Sequence, residues 1–458
     1  MVSEQAMQVT SDIQDERLDV SQSGSKALTG AFVQYGLALL FALALCYAYD
    51  VQSRWWSYFG FTYMLADDTL RYAACFAAAA PAMLLNPRPR TFAQAAAWFL
   101  YALVFLPCLL VPVMQFSTGL DRLIAVFSAT FVSCVAFLLL VRGDVRQITL
   151  PTVPPRFFWT VLLGAWLGMM LLVLISFGGS FQFSGADNLY DQRFASTGIV
   201  ANPAVRYSLA LLSSGIDPFI IGAGLYTRRY WLVAIGVLSQ IILFGTIAAK
   251  AALLSPLFVT GAFFLFDRKS EMRGNLLLIG LLGVFILTVP LLTNYNPLGG
   301  GLNQLVTLIY FRTFLIAGMT YGVYEQFFSI NSLTYFSNNH FVSLFISYPY
   351  ADLSVGQAVQ QFLFPIVSTD IGELNASFLA TDGMAAFGLV GVPLAGAATA
   401  IALKILSRFV PPERTRLMLA SGTGFILSLA NTSLFTSLIS GCGILLVILV
   451  SVAPLERK

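Results

Sequence analysis

Twelve apolar runs of about 20 residues, the length an α-helix needs to cross ~30 Å of hydrocarbon at 1.5 Å per residue, occupy most of this sequence. In the first half they extend from Ala31 to Tyr49, Leu70 to Leu85, Phe92 to Phe116, Leu123 to Val141, Phe157 to Phe177 and Tyr207 to Tyr226. In the second half they extend from Tyr230 to Ile247, Ala249 to Phe266, Leu276 to Thr293, Phe387 to Leu406, Leu417 to Leu434 and Ser437 to Val452. Hydrocarbon offers backbone N–H and C=O groups no partner, so each run must satisfy its own as a helix. The expected fold class is all-α, a polytopic membrane protein with about twelve transmembrane helices. Composition agrees: 58% of residues are hydrophobic and 10% charged, whereas a soluble domain is roughly 25% charged.

Lys and Arg stay on the cytoplasmic side of membrane helices, and that bias sets the orientation. With the N-terminus inside, the inner segments hold 18 of the 25 basic residues, among them Arg88, Arg90, Arg142, Arg146, Arg408, Arg414 and Arg416. Both termini are therefore expected in the cytoplasm. Residues 1–27 read as a polar cytoplasmic tail, unlike a cleavable signal peptide, and 28–458 as one membrane domain. Basic clusters at Arg228-Arg229 and Arg268-Lys269 bracket Tyr230 to Phe266 and require an even number of crossings, hence a hairpin with its tip near Lys250. A net charge of +3 is too small to suggest nucleic acid. Cys46, Cys75, Cys108, Cys134 and Cys442 lie inside apolar runs without metal-ligand spacing, as packing residues do.

Two long outer segments remain, 178–206 and 294–386. Loops of this length are usually functional or disordered, and the second is too rich in Phe and Tyr and too poor in charge to be disordered. Interfacial or re-entrant helices are expected in it, because one extra crossing would invert everything downstream. Arg312 lies in its apolar stretch Tyr310-Phe311-Arg312-Thr313-Phe314. An arginine there costs several kcal/mol facing lipid, so it should meet water, protein or an anion. A guanidinium fork suits phosphate oxygens; the alternative is a local ion pair with Glu325. Arg54, Arg71 and Arg122 flank early helices and read as interfacial anchors; Arg193, Arg206 and Lys250 are the remaining outer cations, each with a competing reading as a neutralised loop residue or interfacial anchor. His340 is the one histidine in the chain and a candidate general base near neutral pH, in competition with Glu325, Asp352, Glu373 and Asp382.

The segments Asn188-Leu189-Tyr190-Asp191-Gln192-Arg193, Tyr310 to Gly318 with Tyr324 and Phe327-Phe328, and Tyr348-Pro349-Tyr350 leading to Asn375-Ala376-Ser377-Phe378-Leu379-Ala380-Thr381-Asp382-Gly383 carry a resemblance. Over about Gly178 to Gly391 the chain resembles the Wzy-type oligosaccharide repeat-unit polymerases. That resemblance implies a C-type (GT-C) membrane glycosyltransferase fold in a bacterial cytoplasmic membrane, with its active side periplasmic. It also implies undecaprenyl-pyrophosphate-linked donor and acceptor oligosaccharides without a nucleotide sugar, and membrane lipids, a chain-length regulator and a flippase as partners; no DxD-like pair occurs in the outer loops, so no metal or cofactor is expected. The family's essential loop arginines match Arg193 and Arg312, with Arg206 and Lys250 in support. Tyr190, Tyr310, Tyr324 and Asn375 are the candidates for glycan contact, and aromatics there compete with a role as interfacial anchors.

In the implied reaction, negative charge develops on the departing pyrophosphate, where fixed cations lower the barrier. A base drawn from His340, Glu325 or Asp382 takes the proton from the acceptor hydroxyl. The rival within the enzymes is an O-antigen ligase, whose loop histidine is followed by asparagine; here Asn338-Asn339 precede His340 and Phe341 follows. A secondary transporter or lipid flippase is the rival outside them, and it calls for charges at mid-membrane and internal repeats.

Overall fold

The computed structural model describes residues 2–57, 61–64, 67–115, 119–179, 181, 197–247, 250–265, 273–296, 303, 306–339, 342–364 and 373–455. Among these there is no strand. Among the described residues nine helices are long and apolar enough to cross a membrane: Leu28–Trp56 (the apolar part of α1, Val2–Trp56), Phe92–Gln115, Leu120–Arg142, Pro155–Phe177, Pro203–Thr227, Tyr230–Ile247, Gly274–Thr293, Leu379–Phe409 and Leu434–Val452. Three of the expected runs are helical but shorter or broken. These are Asp68–Ala79 with its 3-10 extension Ala80–Leu84, Lys250–Leu265, and the pair Thr415–Ser421 and Thr423–Leu429.

Phe92–Gln115 is the central post: 94% of its apolar window is buried, against 22% for Pro155–Phe177 and Gly274–Thr293, which form the lipid-facing margin. Its sequence explains the position. Ala93, Ala95, Ala96 and Ala97 are all buried, and small residues let helix backbones approach closely where the hydrophobic effect between helices is absent. Further along the post, the Phe105 ring packs on Phe137 at 5.1 Å and on Phe378 at 6.0 Å.

One end of the bundle gathers the basic loops. Gln94 donates to the Arg142 carbonyl (3.0 Å), Arg408 to that of Arg146 (3.4 Å), Thr415 to that of Arg90 (3.4 Å), and Arg414 to Val450 and Ser451 (2.8 and 3.0 Å). Loops spread over the whole chain thus share one basic face. The hairpin near Lys250 is visible in the same way. Tyr226, just before Tyr230–Ile247, donates to the Glu413 carbonyl (3.3 Å), and Arg416 donates to that of Phe263 (2.8 Å) at the far end of Lys250–Leu265. Both ends of the run therefore return to the 413–416 loop.

The helix over 306–330 starts and finishes on the opposite face. At its start Tyr295, next to the end of Gly274–Thr293, meets Thr307 (2.6 Å), and Phe311 packs on Trp56 at 4.7 Å. At its finish the Arg122 guanidinium, in the first turn of Leu120–Arg142, donates to the Glu325 carboxylate at 2.6 Å. Between these ends the segment presses into the bundle. Phe314 meets Phe41 edge-on at 5.8 Å, and Gly318 abuts the post so closely that a Cβ there would lie 2.2 Å from the Pro107 carbonyl oxygen. Gly318→Ala is therefore expected to cost about 1–3 kcal/mol by overpacking, read as a lower thermal midpoint of the purified protein; an unchanged midpoint would show that the contact is loose.

Leu379–Phe409 is not one straight rod. Phe387 and Gly388 leave helical geometry, Gly388 at φ 63° and ψ −147°, a conformation open in practice to glycine alone. The short arm before the break folds back along the long arm: a Cβ on Gly391 would fall 2.1 Å from the Gly383 oxygen. Leu434–Val452 is likewise interrupted, at Ser440 to Cys442, the last with φ 62°.

Candidate functional site

On the face away from the basic loops, a cleft of about 650 Å3 opens between the outer segment and two breaks in the bundle. Its first wall is a tight turn. Tyr335 and Phe336 both adopt left-handed φ (47° and 62°), which costs bulky residues roughly 1–2 kcal/mol each. The turn is held by Thr334 and Tyr335, whose N–H groups donate to the Ala385 and Ala386 carbonyls (2.8 and 3.2 Å), and by both rings packing on Phe387. It turns Ser337 and Asn338 toward the cleft.

The second wall is 348–356. Ser354 and Gln357 form a reciprocal capping box that starts Val355–Leu363, with Asp352 in the turn before it. Tyr350 donates to the Ser332 carbonyl and stacks near Phe327. Beside it the Tyr348 phenol is shielded from solvent, has no hydrogen-bond partner and lines the cleft. Burial pushes both phenols up to about 12, with Tyr350 and Glu373 adding to the effect at Tyr348. Tyr348 thus stays a protonated phenol at neutral pH, its hydroxyl shielded behind the cleft surface.

The floor comes from 373–381 and 431–436. Tyr324 donates to the Leu374 carbonyl (3.1 Å), tying the helix over 306–330 to this floor, and sets Glu373 and Asn375 along the cleft. Asn431, Thr432, Ser433 and Thr436 face them. Here Ser428, Thr432 and Ser437 form a triangle of hydroxyls at 3.0–3.1 Å, while Ser433 caps Leu434–Ile439. Asp382 joins the two parts of the floor: its carboxylate accepts the Leu434 N–H at 2.6 Å.

Among the residues singled out from sequence, Tyr324, Asn375, Asp352 and Glu373 line this cleft, and Asp382 braces it. Arg193, Tyr190 and His340 lie outside the described residues, as does the Lys250 side chain, although Lys250 does begin its helix. Three readings need correction. Glu325 is no free base, because its carboxylate is buried and held by Arg122, which the sequence suggested was only an anchor. Tyr310 is no sugar platform: its ring is fully buried against Phe285 and Phe314, and its hydroxyl meets Thr288 at 2.6 Å. The ion pair imagined between Arg312 and Glu325 does not form. Arg312 is exposed, with its guanidinium over the Phe311 ring at 5.3 Å, and does not line the cleft. Arg206 is also exposed, over Tyr207 at 5.6 Å, as an interfacial anchor would be.

Sequence reasoning missed the 431–436 wall, having placed the last interhelical link at 435–436 instead of 430–433. The signal was present, since Asn-Thr-Ser before an apolar run is a helix-capping pattern. It also missed Asp217, fully buried within Pro203–Thr227 and satisfied by Trp166 (2.9 Å) and Ser239 (2.6 Å). This carboxylate ties three helices and lies apart from the cleft. No family model, curated protein or solved structure matches this chain.

Proposed function

We propose that the protein is a membrane glycosyltransferase that joins lipid-linked oligosaccharide units in this cleft, as a repeat-unit polymerase of GT-C-like architecture. The observation that carries the reading is the chemistry of the lining. Hydroxyls, carboxamides, two carboxylates and an unpartnered phenol converge from four parts of the chain. Such groups donate to and accept from the many hydroxyls of a glycan, and their convergence in a concave site is what a binding pocket requires. Twelve crossings with cytoplasmic termini would turn the cleft to the periplasm, where lipid-linked units are presented.

In this reading a hydroxyl of the incoming unit lies among Asp352, Glu373 and Asn375, one carboxylate accepting its proton as it attacks the sugar carbon bound to pyrophosphate. The bond to pyrophosphate breaks and the lipid pyrophosphate departs. Arg312 is an exposed cation for which no described carboxylate forms an ion pair, which suits the departing anion; Arg193 is its proposed companion.

The test is reconstitution of the full chain in liposomes with undecaprenyl-pyrophosphate-linked repeat units. A ladder of lengthened lipid-linked glycans is expected. Transfer of glycan only onto a lipid A core acceptor would favour the ligase, and no transfer to any glycan acceptor would remove the enzyme reading.

A further inference from the structure

Resting on that reading, we infer that the cleft takes neutral or amino sugars and turns away sugars that bear a carboxylate. The outer segments 178–206 and 294–386 already lean acidic, with seven Asp and Glu against three arginines, but the sequence does not say which of these charges share a site. The geometry separates them. The charged groups among the described lining residues are Asp352 and Glu373, both acidic. Asp382 adds a third carboxylate just behind the floor. Among the described residues neither lysine nor arginine lines the cleft.

A carboxylate-bearing sugar would bring like charge against these groups in a partly enclosed space, where water screens it less than in bulk. A neutral sugar has no such penalty, and its hydroxyls are good donors to Asp352 and Glu373; an ammonium group would be drawn to them. One feature of the site favours anions, the N-terminus of Val355–Leu363 at the cleft wall. Its capping box already engages it, however. Gln357 N–H donates to Ser354 Oγ (3.2 Å) and Ser354 N–H to Gln357 Oε1 (2.8 Å). The same charge balance makes the cleft a sugar subsite and assigns the pyrophosphate to cations outside it.

The experiment measures binding of three matched β-1,4-linked trisaccharides to the purified full chain in nanodiscs: cellotriose, the fully deacetylated glucosamine trimer and the glucuronate trimer. Cellotriose and the glucosamine trimer are expected to bind, and the glucuronate trimer at least tenfold more weakly than cellotriose. Raising the salt from 50 to 500 mM should narrow that ratio by screening. The double variant D352N/E373Q should bring it toward one, the ratio itself being the readout so that any general loss of affinity cancels. Glucuronate-trimer binding as tight as cellotriose in the native protein overturns the inference and leaves the glycan reading intact. Failure of all three to bind removes the glycan reading, and the inference with it.

Discussion

Arg122→Ala is expected to destabilise the protein by about 1–3 kcal/mol, the usual cost of leaving a buried polar group without its partner, and less than breaking a fully buried ion pair because Arg122 is itself partly exposed. Glu325→Gln should cost clearly less. The asymmetry follows from exposure: the Glu325 side chain is 8% exposed and that of Arg122 37%. Without arginine, a carboxylate is stranded among apolar neighbours. Without the carboxylate, the long arginine chain can swing its head into water or headgroups, and the glutamine amide oxygen remains to accept from it. Replacing both partners together, as R122M/E325L, should recover most of the loss, since paired burial is itself barely favourable. Thermal unfolding of the purified protein reads all three; equal losses for the two single variants would show that the pair is solvent-screened. The consequence reaches the cleft, because Tyr324, one residue before Glu325, holds the Leu374 carbonyl. Loosening the helix at Arg122 should therefore loosen the floor.

That pair also marks the limit of what the sequence discloses. Among the described residues hydropathy places nine of the twelve expected spans, since crossing lipid imposes a local, length-bound pattern on each helix. The basic loops were legible for a related reason: charge in short loops has a fixed side, and Arg90, Arg142, Arg408 and Arg414 do meet at one end of the bundle. The partner of Glu325 was not legible. Arg122 lies 203 residues away, while Arg312 is near in sequence and had the stronger local claim. Tyr310 was misread for the same reason: an aromatic in an outer segment reads as surface until Phe285 and Thr288 are seen to enclose it. Half of the cleft floor hid in plain hydropathy, where averaging over an apolar window erases Asn431, Thr432 and Ser433. Breaks of this kind in membrane helices occur where the backbone lines a cavity or is buried in protein, so a capping triplet between two apolar runs is the sign to look for.

Asp382 offers the sharpest separation between a chemical and a structural role at the cleft. Sequence made it a candidate base, but its carboxylate accepts the Leu434 N–H at 2.6 Å and joins the 379–384 turn to the capped start of the last helix. A brace needs only an acceptor oxygen there, whereas a base needs a carboxylate. Asp382→Asn keeps an amide oxygen in position and is expected to retain polymer synthesis within about threefold. Asp382→Ala leaves the Leu434 N–H unpaired, a loss of about 1–3 kcal/mol, and lets Glu373 and Asn375 drift from Thr432 and Ser433. Because 1.4 kcal/mol is a factor of ten, a loss of about 1–3 kcal/mol in the population of the assembled cleft lowers the proposed polymer output roughly 5- to 150-fold. Equal and severe loss in both variants would return Asp382 to the role of base and leave the brace as its resting contact. Full activity in both would mean that the two halves of the floor are held by other contacts, chiefly the hydroxyl triangle of Ser428, Thr432 and Ser437, which would then be the next group to dismantle.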